Sequence, residues 1–557
     1  MIDLGELKYG LGGLGAMIAF CFLGALPLVS QAIARQQERE ASLLERSAIA
    51  IAVSVVYLAL LGLLLALVPL PVRRTVAWVG LLAPILTGLA MLRRDGMRVF
   101  FPRGGTQDVL FHAAAFALAV FAIALSSGRY PLPAKLADGA YVNKESVQPV
   151  QIQYLTGNLP ADNVVPYVAQ EYLARDISFE RNSPILPGQH VTNRPILVSL
   201  VGLPIRVALA AVTPLHDLPR YEYVDTQWPD FRVLARDVKP LSIFLGVGIF
   251  LNACLLLGAG LILTRMVNPN TRQSLLFSLL FITSPYFLFQ TIFTWPKALA
   301  GFFVLLAVVA QVSYRKSLLT GVLLGLAYWS HPYAIGYVGV GVLGLLLCSR
   351  GLGEKLKQAA ALSIGFAVCV APWFIWAKLV IGIDSDLVDQ NFSSNGMSTY
   401  QFLLARIVNI VHTVVPEHLL AYGAPYDTIF AASQLNLAGA MGLLLFLIGL
   451  LNAYRFGGSG GAPYAQPGAA GMLDFKVVVV YLGAASLLLS LVFSNHAVPL
   501  LHGWQPFAAV LLGLVAVQAA RSGKMVERVA WAQVVVNIAT LAAYVAMKGG
   551  RLPTVLK

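Results

Sequence analysis

Long uninterrupted apolar runs constrain this chain more than any other feature of its sequence. Residues 48–67, 241–263 and 500–517 reach or exceed the roughly 18 residues that an α-helix needs to cross a bilayer. Lipid offers the backbone no hydrogen-bonding partner, so only helices and closed barrels can span it. Barrel strands alternate apolar and polar residues, and these runs do not. The sequence therefore predicts an all-α polytopic membrane protein.

The composition agrees with this class. Of the 557 residues, 58% are hydrophobic and only 12% are charged, which is too little charge to cover the surface of a soluble protein of this length. The net charge of +13 comes from short basic clusters between the apolar runs, as in topology signals, so no nucleic acid partner is expected. The four cysteines lie inside apolar runs, where they indicate small packing residues rather than disulfides.

The apolar runs predict about fourteen transmembrane helices. One alternating path makes every basic cluster cytoplasmic, and it places both chain ends and the segments 128–239 and 381–428 on the outer face. Two features fit this path poorly, because Arg73 and Arg74 also fall outside, and so does the short basic C-terminus. The cytoplasmic clusters are Arg93/Arg94/Arg98/Arg103, Arg265/Arg272, Arg315/Lys316, Arg350/Lys355/Lys357 and Arg521/Lys524/Arg528. The predicted spans are 13–33, 48–70, 75–92, 108–127, 240–264, 273–291, 297–313, 317–332, 334–349, 360–380, 429–452, 475–494, 499–519 and 527–547.

The outer segment 128–239 differs from the rest of the chain in its acidic residues and prolines. It contains two helical patterns, at 164–175 and 195–212. The second pattern is apolar but short, and Pro204 and Arg206 interrupt it. We therefore expect a layer on the outer face that contains short amphipathic helices, the second lying on the membrane surface rather than crossing it.

A series of short motifs gives the chain a family resemblance. Asp162 precedes a helical pattern that carries Tyr167, and the sequence His190-Val-Thr-Asn-Arg194-Pro195-Ile-Leu follows. Thr294-Trp-Pro-Lys297 and Gly321-Val-Leu-Leu-Gly325, the latter leading to His331-Pro332, lie further on. These motifs resemble the GT-C superfamily of polyprenyl-phosphate-dependent membrane glycosyltransferases, including aminoarabinose transferases and protein mannosyltransferases. The chain departs from that pattern in about three additional N-terminal helices, in Asn163 where Glu is common, and in a Pro-Pro pair reduced to Pro195-Ile196.

The resemblance implies a division of the chain. Residues 1–106 would form additional N-terminal transmembrane helices, and 107–380 would form a GT-C-like core that includes the outer loop 128–239. Residues 381–428 would form a second outer loop, and 429–557 the C-terminal transmembrane helices. The implied activity is that of an inverting glycosyltransferase, which moves a sugar from a polyprenyl-phosphate donor to a lipid, glycan or protein acceptor. Such an enzyme would work at the outer, periplasmic face of a bacterial inner membrane, among its lipids.

The resemblance also implies the roles of five residues. Asp162 would be the general base that removes the proton of the acceptor hydroxyl, although an Asp before a helix is commonly an N-cap. Tyr167, Arg194, Lys297 and His331 would bind substrate, with the cationic groups holding the departing phosphate. Each cationic residue also has an alternative role. Lys297 could reach toward the membrane surface, Arg194 could be anchored to lipid headgroups, and His331 could be an ordinary interfacial histidine.

Other polar residues receive weaker assignments. Glu171 and Asp176 are predicted to be solvated loop charges, and His496 and His502 flank an outer turn that could approach the site. Asp384 and Asp386 have a spacing that suits a divalent cation, but solvated loop carboxylates often share it. We therefore predict no metal site and no certain cofactor, with a divalent cation as the alternative.

Two other functional classes compete with the transferase. A lipid or glycan transporter or flippase also needs many helices and a polar cavity, but its ionisable residues are expected near the middle of the membrane. Here the acidic residues concentrate in an outer loop, which favours an enzyme at the interface. A polymerase or ligase of the O-antigen type typically has its large outer loop late in the chain, whereas this loop follows only about four spans.

Overall fold

The structure, a computed structural model, describes residues 4–35, 41–96, 105–126, 152–154, 157–159, 165–180, 190–213, 234, 237–292, 296–347, 351–382, 398–414, 441–442, 444–448, 473–492, 503–521 and 523–548. Within these ranges its regular structure is helical apart from one antiparallel hairpin, β1 (Ile152–Tyr154) and β2 (Gly157–Leu159), and short segments connect these elements. The first helices are α1 (Leu4–Arg35, with a π-helical turn at Ala19–Ala25), α2 (Leu43–Leu67), α3 (Leu70–Asp95), α4 (Thr106–Ser126), α5 (Val165–Arg175) and α6 (Leu197–Leu209). They are followed by α7 (Val238–Met266), α8 (Thr271–Thr283), α9 (Pro285–Ile292), α10 (Lys297–Val312), α11 (Ser317–Ser330) and α12 (Ala334–Leu347). The last are α13 (Leu352–Ile381), α14 (Thr399–Val414), α15 (Phe475–Val492), α16 (Gln505–Arg521) and α17 (Lys524–Lys548).

Seven described helices are long and apolar enough to cross a membrane, and an eighth span arises if α8 and α9, bent by 62°, count as one. This supports the prediction of a multi-pass helical membrane protein. Thirteen of the fourteen predicted spans coincide with helices, whereas 429–452 lies mostly outside the described residues. Six more apolar helices have only 10–17 residues, so their length does not establish a full count of about fourteen spans.

The helix ends that were predicted to be cytoplasmic meet on one face of the bundle. Arg265 at the end of α7 pairs with Glu45 at the start of α2, and the Tyr314 hydroxyl after α10 donates to the same carboxylate. Arg272 pairs with Glu527 at 2.5 Å, which joins the starts of α8 and α17. We call this surface the basic face. Its ion pairs agree with the alternating path derived from the charge clusters.

The opposite face contains the helices of segment 128–239. Arg73, near the start of α3, is buried and donates to the carbonyl oxygens of Leu173 (2.8 Å) and Ala174 (3.3 Å) at the end of α5. It also lies 3.4 Å from the exposed carboxylate of Asp176. Arg73 therefore belongs on the same side as segment 128–239, because it neutralises and caps the C-terminus of α5. This contact accounts for Arg73, one of the two arginines that fitted the predicted topology poorly.

Helix α6 differs from the predicted amphipathic surface helix. Twelve of its thirteen residues are buried, all except Leu209, and it packs against α2, α3, α5 and α7. Its backbone approaches α2 so closely that a Cβ at Gly62 would lie 2.1 Å from the oxygen of Leu200. At about 20 Å, α6 is too short to span. The expectation that one of its faces rests on lipid was wrong, since neighbouring helices cover both faces.

Candidate functional site

Several helices that begin or end on the basic face stop short of the opposite face. Helices α8, α10, α11 and α16 have 13 to 17 residues, or about 20–26 Å of rise, against about 43 Å for the 29 residues of α7. Buried polar residues lie at or near their far ends, on the following helix α9 and in the middle of α7. We call this group the recess cluster, and it consists of Asn252, Gln290, Lys297, His331, Tyr333 and Gln505.

Tyr333 connects the two predicted phosphate-binding residues of the recess cluster. Its hydroxyl donates to the carbonyl oxygen of Lys297 at 2.6 Å, and its backbone N–H donates to Nδ1 of His331 at 3.1 Å. The Tyr333 and His331 rings lie 4.9 Å apart. Lys297 is 1% exposed and His331 2%. The structure therefore brings the start of α10 and the end of α11 together, and excludes bulk water from both residues.

Two amides hold the chain on either side of Lys297. Asn252, in the middle of α7, donates to the carbonyl oxygen of Thr291 (3.3 Å) and accepts from the N–H of Leu299 (3.2 Å). It thus joins the end of α9 to the first turn of α10, across the interruption in the span. Gln505 donates to Gln290 at 3.2 Å and accepts from the N–H of Gly503 at 3.0 Å. These bonds satisfy groups that the broken helices would otherwise leave buried and unpaired.

A buried ion network holds the outer layer together. Glu171 is 0% exposed, and its oxygens accept from Arg206 Nε (2.7 Å) and Nη2 (3.1 Å) and from Arg175 Nε (3.0 Å). Arg175 also pairs with Asp237 at 2.8 Å. The prediction that Glu171 is a solvated charge was wrong, because Arg206 inside an apolar helix requires a buried counter-ion. Asp176, with 69% of its side chain exposed, is solvated as predicted.

Tyr167 anchors α5 to the start of α7. Its side chain is fully buried, and its hydroxyl donates to the carbonyl oxygen of Leu234 at 2.9 Å. Burial, followed by the negative charge of Glu171, raises its pKa well above the ordinary value, so the hydroxyl stays protonated. This contact gives Tyr167 a structural role, and its predicted role in substrate binding stays a prediction.

Arg194 follows a short 3-10 turn, Val191–Asn193, that leads into α6. It is buried, and its Nη1 donates to the carbonyl oxygen of Asn193 at 3.0 Å. Arg194 is thus surrounded by protein groups, which disfavours the alternative that it is anchored to lipid headgroups. Its convergence with Lys297 and His331 on one phosphate stays a prediction.

Several predicted residues lie outside the described part of the chain. They include the candidate base Asp162 and its neighbour Asn163, the pair Asp384 and Asp386, and the histidines His496 and His502. Among the described residues, no group of three or more His, Cys, Asp or Glu side chains is arranged to hold a metal ion. The roles assigned to Asp162 and to the acidic pair therefore remain predictions.

Sequence reasoning missed Tyr333, Asn252 and the ion network. Glu171 and Arg175 are four residues apart, a spacing that places them on one face of a helix, so their pairing could have been predicted. The partnership of Glu171 with Arg206, 35 positions away, required the fold. Tyr333 lies two residues after His331 and could have been noticed, but its bond to Lys297 arises only when α10 and α11 pack together.

Comparison of the chain with protein-family models, curated proteins and solved structures finds no match. The resemblance to the GT-C superfamily therefore rests on the sequence motifs alone. The geometry of the site is a separate observation.

Proposed function

We propose that this protein is a membrane glycosyltransferase of the GT-C type, which transfers a sugar from a polyprenyl-phosphate donor to an acceptor at the outer face. The observation that carries the proposal is the meeting of Lys297 and His331 through Tyr333, on the side of the bundle away from the basic face. The resemblance of the surrounding motifs to that superfamily agrees with it.

The depth of Lys297 suits the phosphate of a lipid in the outer leaflet. Helix α10 runs from Lys297 to Val312, near the basic face, with a rise of about 24 Å. The hydrocarbon core of a bilayer is about 30 Å thick, so Lys297 lies toward the outer side of the core. A lysine held at this depth can neutralise a phosphate that carries increasing negative charge as the sugar leaves. The His331 ring, whose Nδ1 accepts from the Tyr333 N–H, can donate to the same phosphate through its Nε2–H. The isoprenoid tail can extend into the bilayer, while Asp162 acts on the acceptor hydroxyl.

The experiment is a transfer assay with the purified chain in lipid vesicles, using a synthetic polyprenyl-phosphate sugar. The products to be measured are free polyprenyl phosphate and the glycosylated acceptor. Lys297→Met keeps the length and the apolar stem but removes the charge, and turnover should fall roughly a hundredfold. Lys316→Ala, at the opposite end of this helix pair and exposed on the basic face, is the matched control and should keep normal turnover.

Two results would contradict the proposal. One is normal transfer by a folded Lys297→Met variant. The other is movement of an intact, fluorescent polyprenyl-phosphate sugar between leaflets with no release of polyprenyl phosphate, which would indicate the flippase instead. Both measurements use the same vesicles, so the two functions are separated in one preparation.

A further inference from the structure

A large apolar cavity lies between α1, α4 and α7, close to the basic face and away from the recess cluster. Its volume is about 580 Å³, within the range of small-molecule sites. Leu43 at the start of α2, Leu92 at the end of α3 and Val109 near the start of α4 contribute to its wall. These residues fix its depth, because all three lie within a turn or so of a helix end on the basic face.

Two buried polar atoms interrupt the otherwise apolar wall. His112 on α4 and Ser47 on α2 both line the cavity. Within the described part of the chain, neither His112 Nε2 nor Ser47 Oγ has a hydrogen-bond partner. An unpaired polar atom in an apolar site costs about 1–3 kcal/mol. A wall that only packed against helices would not need these two atoms, so they indicate a ligand with a polar end.

The bonding of the other imidazole nitrogen defines what that polar end must offer. His112 Nδ1 lies 2.6 Å from the carbonyl oxygen of Asp108. A carbonyl only accepts, so Nδ1 carries the proton, and in the neutral ring Nε2 is an acceptor. Nε2 therefore suits a hydroxyl or ammonium donor. The Ser47 hydroxyl can donate to an ester or phosphate oxygen.

The backbone of α1 is altered where it meets the cavity. Residues Ala19–Ala25 form a π-helical turn, and Phe22 and Leu23 from this turn line the cavity. The Phe22 ring meets the His112 ring edge to face, with centroids 5.8 Å apart. π-Helical turns interrupt the regular hydrogen bonding of an α-helix and are frequent at functional sites. Here the turn shapes the wall on the side that faces the polar residues.

We propose that this cavity binds one acyl chain of a glycerophospholipid from the cytoplasmic leaflet, with a hydrogen-bond donor of its headgroup at His112 Nε2. The helices that form the wall span the membrane, so acyl chains are the apolar molecules that surround it. The position near the basic face selects the cytoplasmic leaflet. The polar atoms select a headgroup with a hydroxyl or an N–H donor, such as phosphatidylglycerol or phosphatidylethanolamine. They disfavour phosphatidylcholine, whose trimethylammonium group has no N–H to donate.

The test is native mass spectrometry of the delipidated full chain with equimolar phosphatidylglycerol, phosphatidylethanolamine and phosphatidylcholine of identical acyl chains. We expect the first bound lipid to be one of the two donor-bearing lipids, with a preference of roughly three- to tenfold over phosphatidylcholine, the effect of one hydrogen bond. His112→Leu should keep lipid binding but remove the preference. Ala115→Phe, which places a ring into the cavity, should abolish the tight first binding.

Ala113→Phe is the matched control, because Ala113 lies on the same helix but on its exposed side. It should bind lipid as the unmodified chain does. Equal binding of the three lipids by the unmodified chain would overturn the proposal. So would unchanged binding by a folded Ala115→Phe variant, or displacement of the bound phospholipid by polyprenyl phosphate. Transfer activity is measured separately, so failure here leaves the proposed transferase untouched.

Discussion

The Tyr333 hydroxyl donates a hydrogen bond of 2.6 Å to the carbonyl oxygen of Lys297, the first residue of α10. The backbone N–H of the same tyrosine donates to His331 Nδ1. Two residues that are 34 positions apart in the sequence are thus held by one tyrosine, Lys297 through its hydroxyl and His331 through its backbone N–H. A stable distance between them matters if both contact one phosphate, because small displacements of positioned groups lower the rate strongly.

Tyr333→Phe tests this arrangement, because it keeps the ring and removes only the hydroxyl. We expect a loss of about 1 kcal/mol in unfolding free energy, the net contribution of one buried hydrogen bond. We also expect a roughly three- to tenfold rise in KM for the donor. Thermal unfolding in detergent and donor titration measure the two effects. Tyr328→Phe, on the same pair of helices but packed against Phe366 and Phe374, should leave the KM unchanged.

Glu171→Gln should be among the most destabilising conservative changes in the chain. Glu171 is the buried counter-ion of both Arg175 and Arg206, and removing one partner of a buried pair typically costs about 3–5 kcal/mol. We expect a large drop in the thermal unfolding temperature. Glu180→Gln, on an exposed loop residue after α5, is the control and should unfold as the unmodified chain does. If the Glu171→Gln variant unfolded at the same temperature as the unmodified chain, that result would contradict the stabilising role of this ion network.

Asp237→Asn should behave differently from Glu171→Gln. Burial raises the pKa of Asp237 above its ordinary value in spite of the neighbouring Arg175. The folded chain therefore holds this proton more tightly than the unfolded chain, and stability from this group falls as pH rises from its ordinary pKa to the raised pKa. Asn cannot titrate, so the stability of the variant should lose this dependence on pH. At pH values above the raised pKa of Asp237, the variant should be about as stable as the unmodified chain. Unfolding temperature measured from pH 3 to 8 gives the result, and a slope that persists in the variant would exclude Asp237 as its source.

Some helix ends could be predicted from the sequence, whereas the predicted spans 13–33 and 360–380 begin nine and eight residues after the observed helix starts, Leu4 and Leu352. The predicted helix at 164–175 agrees with Val165–Arg175, and the predicted span at 297–313 agrees with Lys297–Val312. Apolar run length and proline positions fix such boundaries locally. The surroundings of α6 could not be predicted in this way, because an apolar helix of thirteen residues suits both a membrane surface and a protein interior. Partners far apart in sequence decide between them, as Glu171 does for Arg206.

Gly321 allows α11 and α13 to pack with their backbones in contact. A Cβ at this position would lie 2.0 Å from the carbonyl oxygen of Leu362, and Gly365 meets Leu318 in the same way. Small residues are the usual means of close helix packing in membranes. Gly321→Ala should therefore lower the unfolding temperature clearly. Gly339→Ala, where the added methyl group meets no atom, should leave it unchanged or raise it, because Ala favours helix formation by up to about 1 kcal/mol. Equal effects of the two changes would refute this packing role.

The last prediction concerns Asp162 as the general base. A positioned carboxylate that removes the proton of an acceptor hydroxyl typically contributes about 10²–10⁴-fold to the rate. Glu171 is a second carboxylate, on the helix that follows Asp162 in the sequence, but both of its oxygens accept from arginines and its side chain is fully buried. Such a group cannot take a proton from a substrate without breaking the network. Of these two carboxylates, Asp162 is therefore the one that we predict to be the base.

Asp162→Asn separates the base from the helix cap, since Asn caps helices about as well as Asp. If Asp162 is the base, the variant should fold and bind donor normally yet lose at least about a hundredfold in kcat. If Asp162 only caps a helix, kcat should stay near normal. Asp176→Asn is the control, because it changes an exposed carboxylate at the end of α5 in the same way. Normal turnover by a folded Asp162→Asn protein would require a base from the outer segment 381–428, with Asp384 and Asp386 the first residues to substitute.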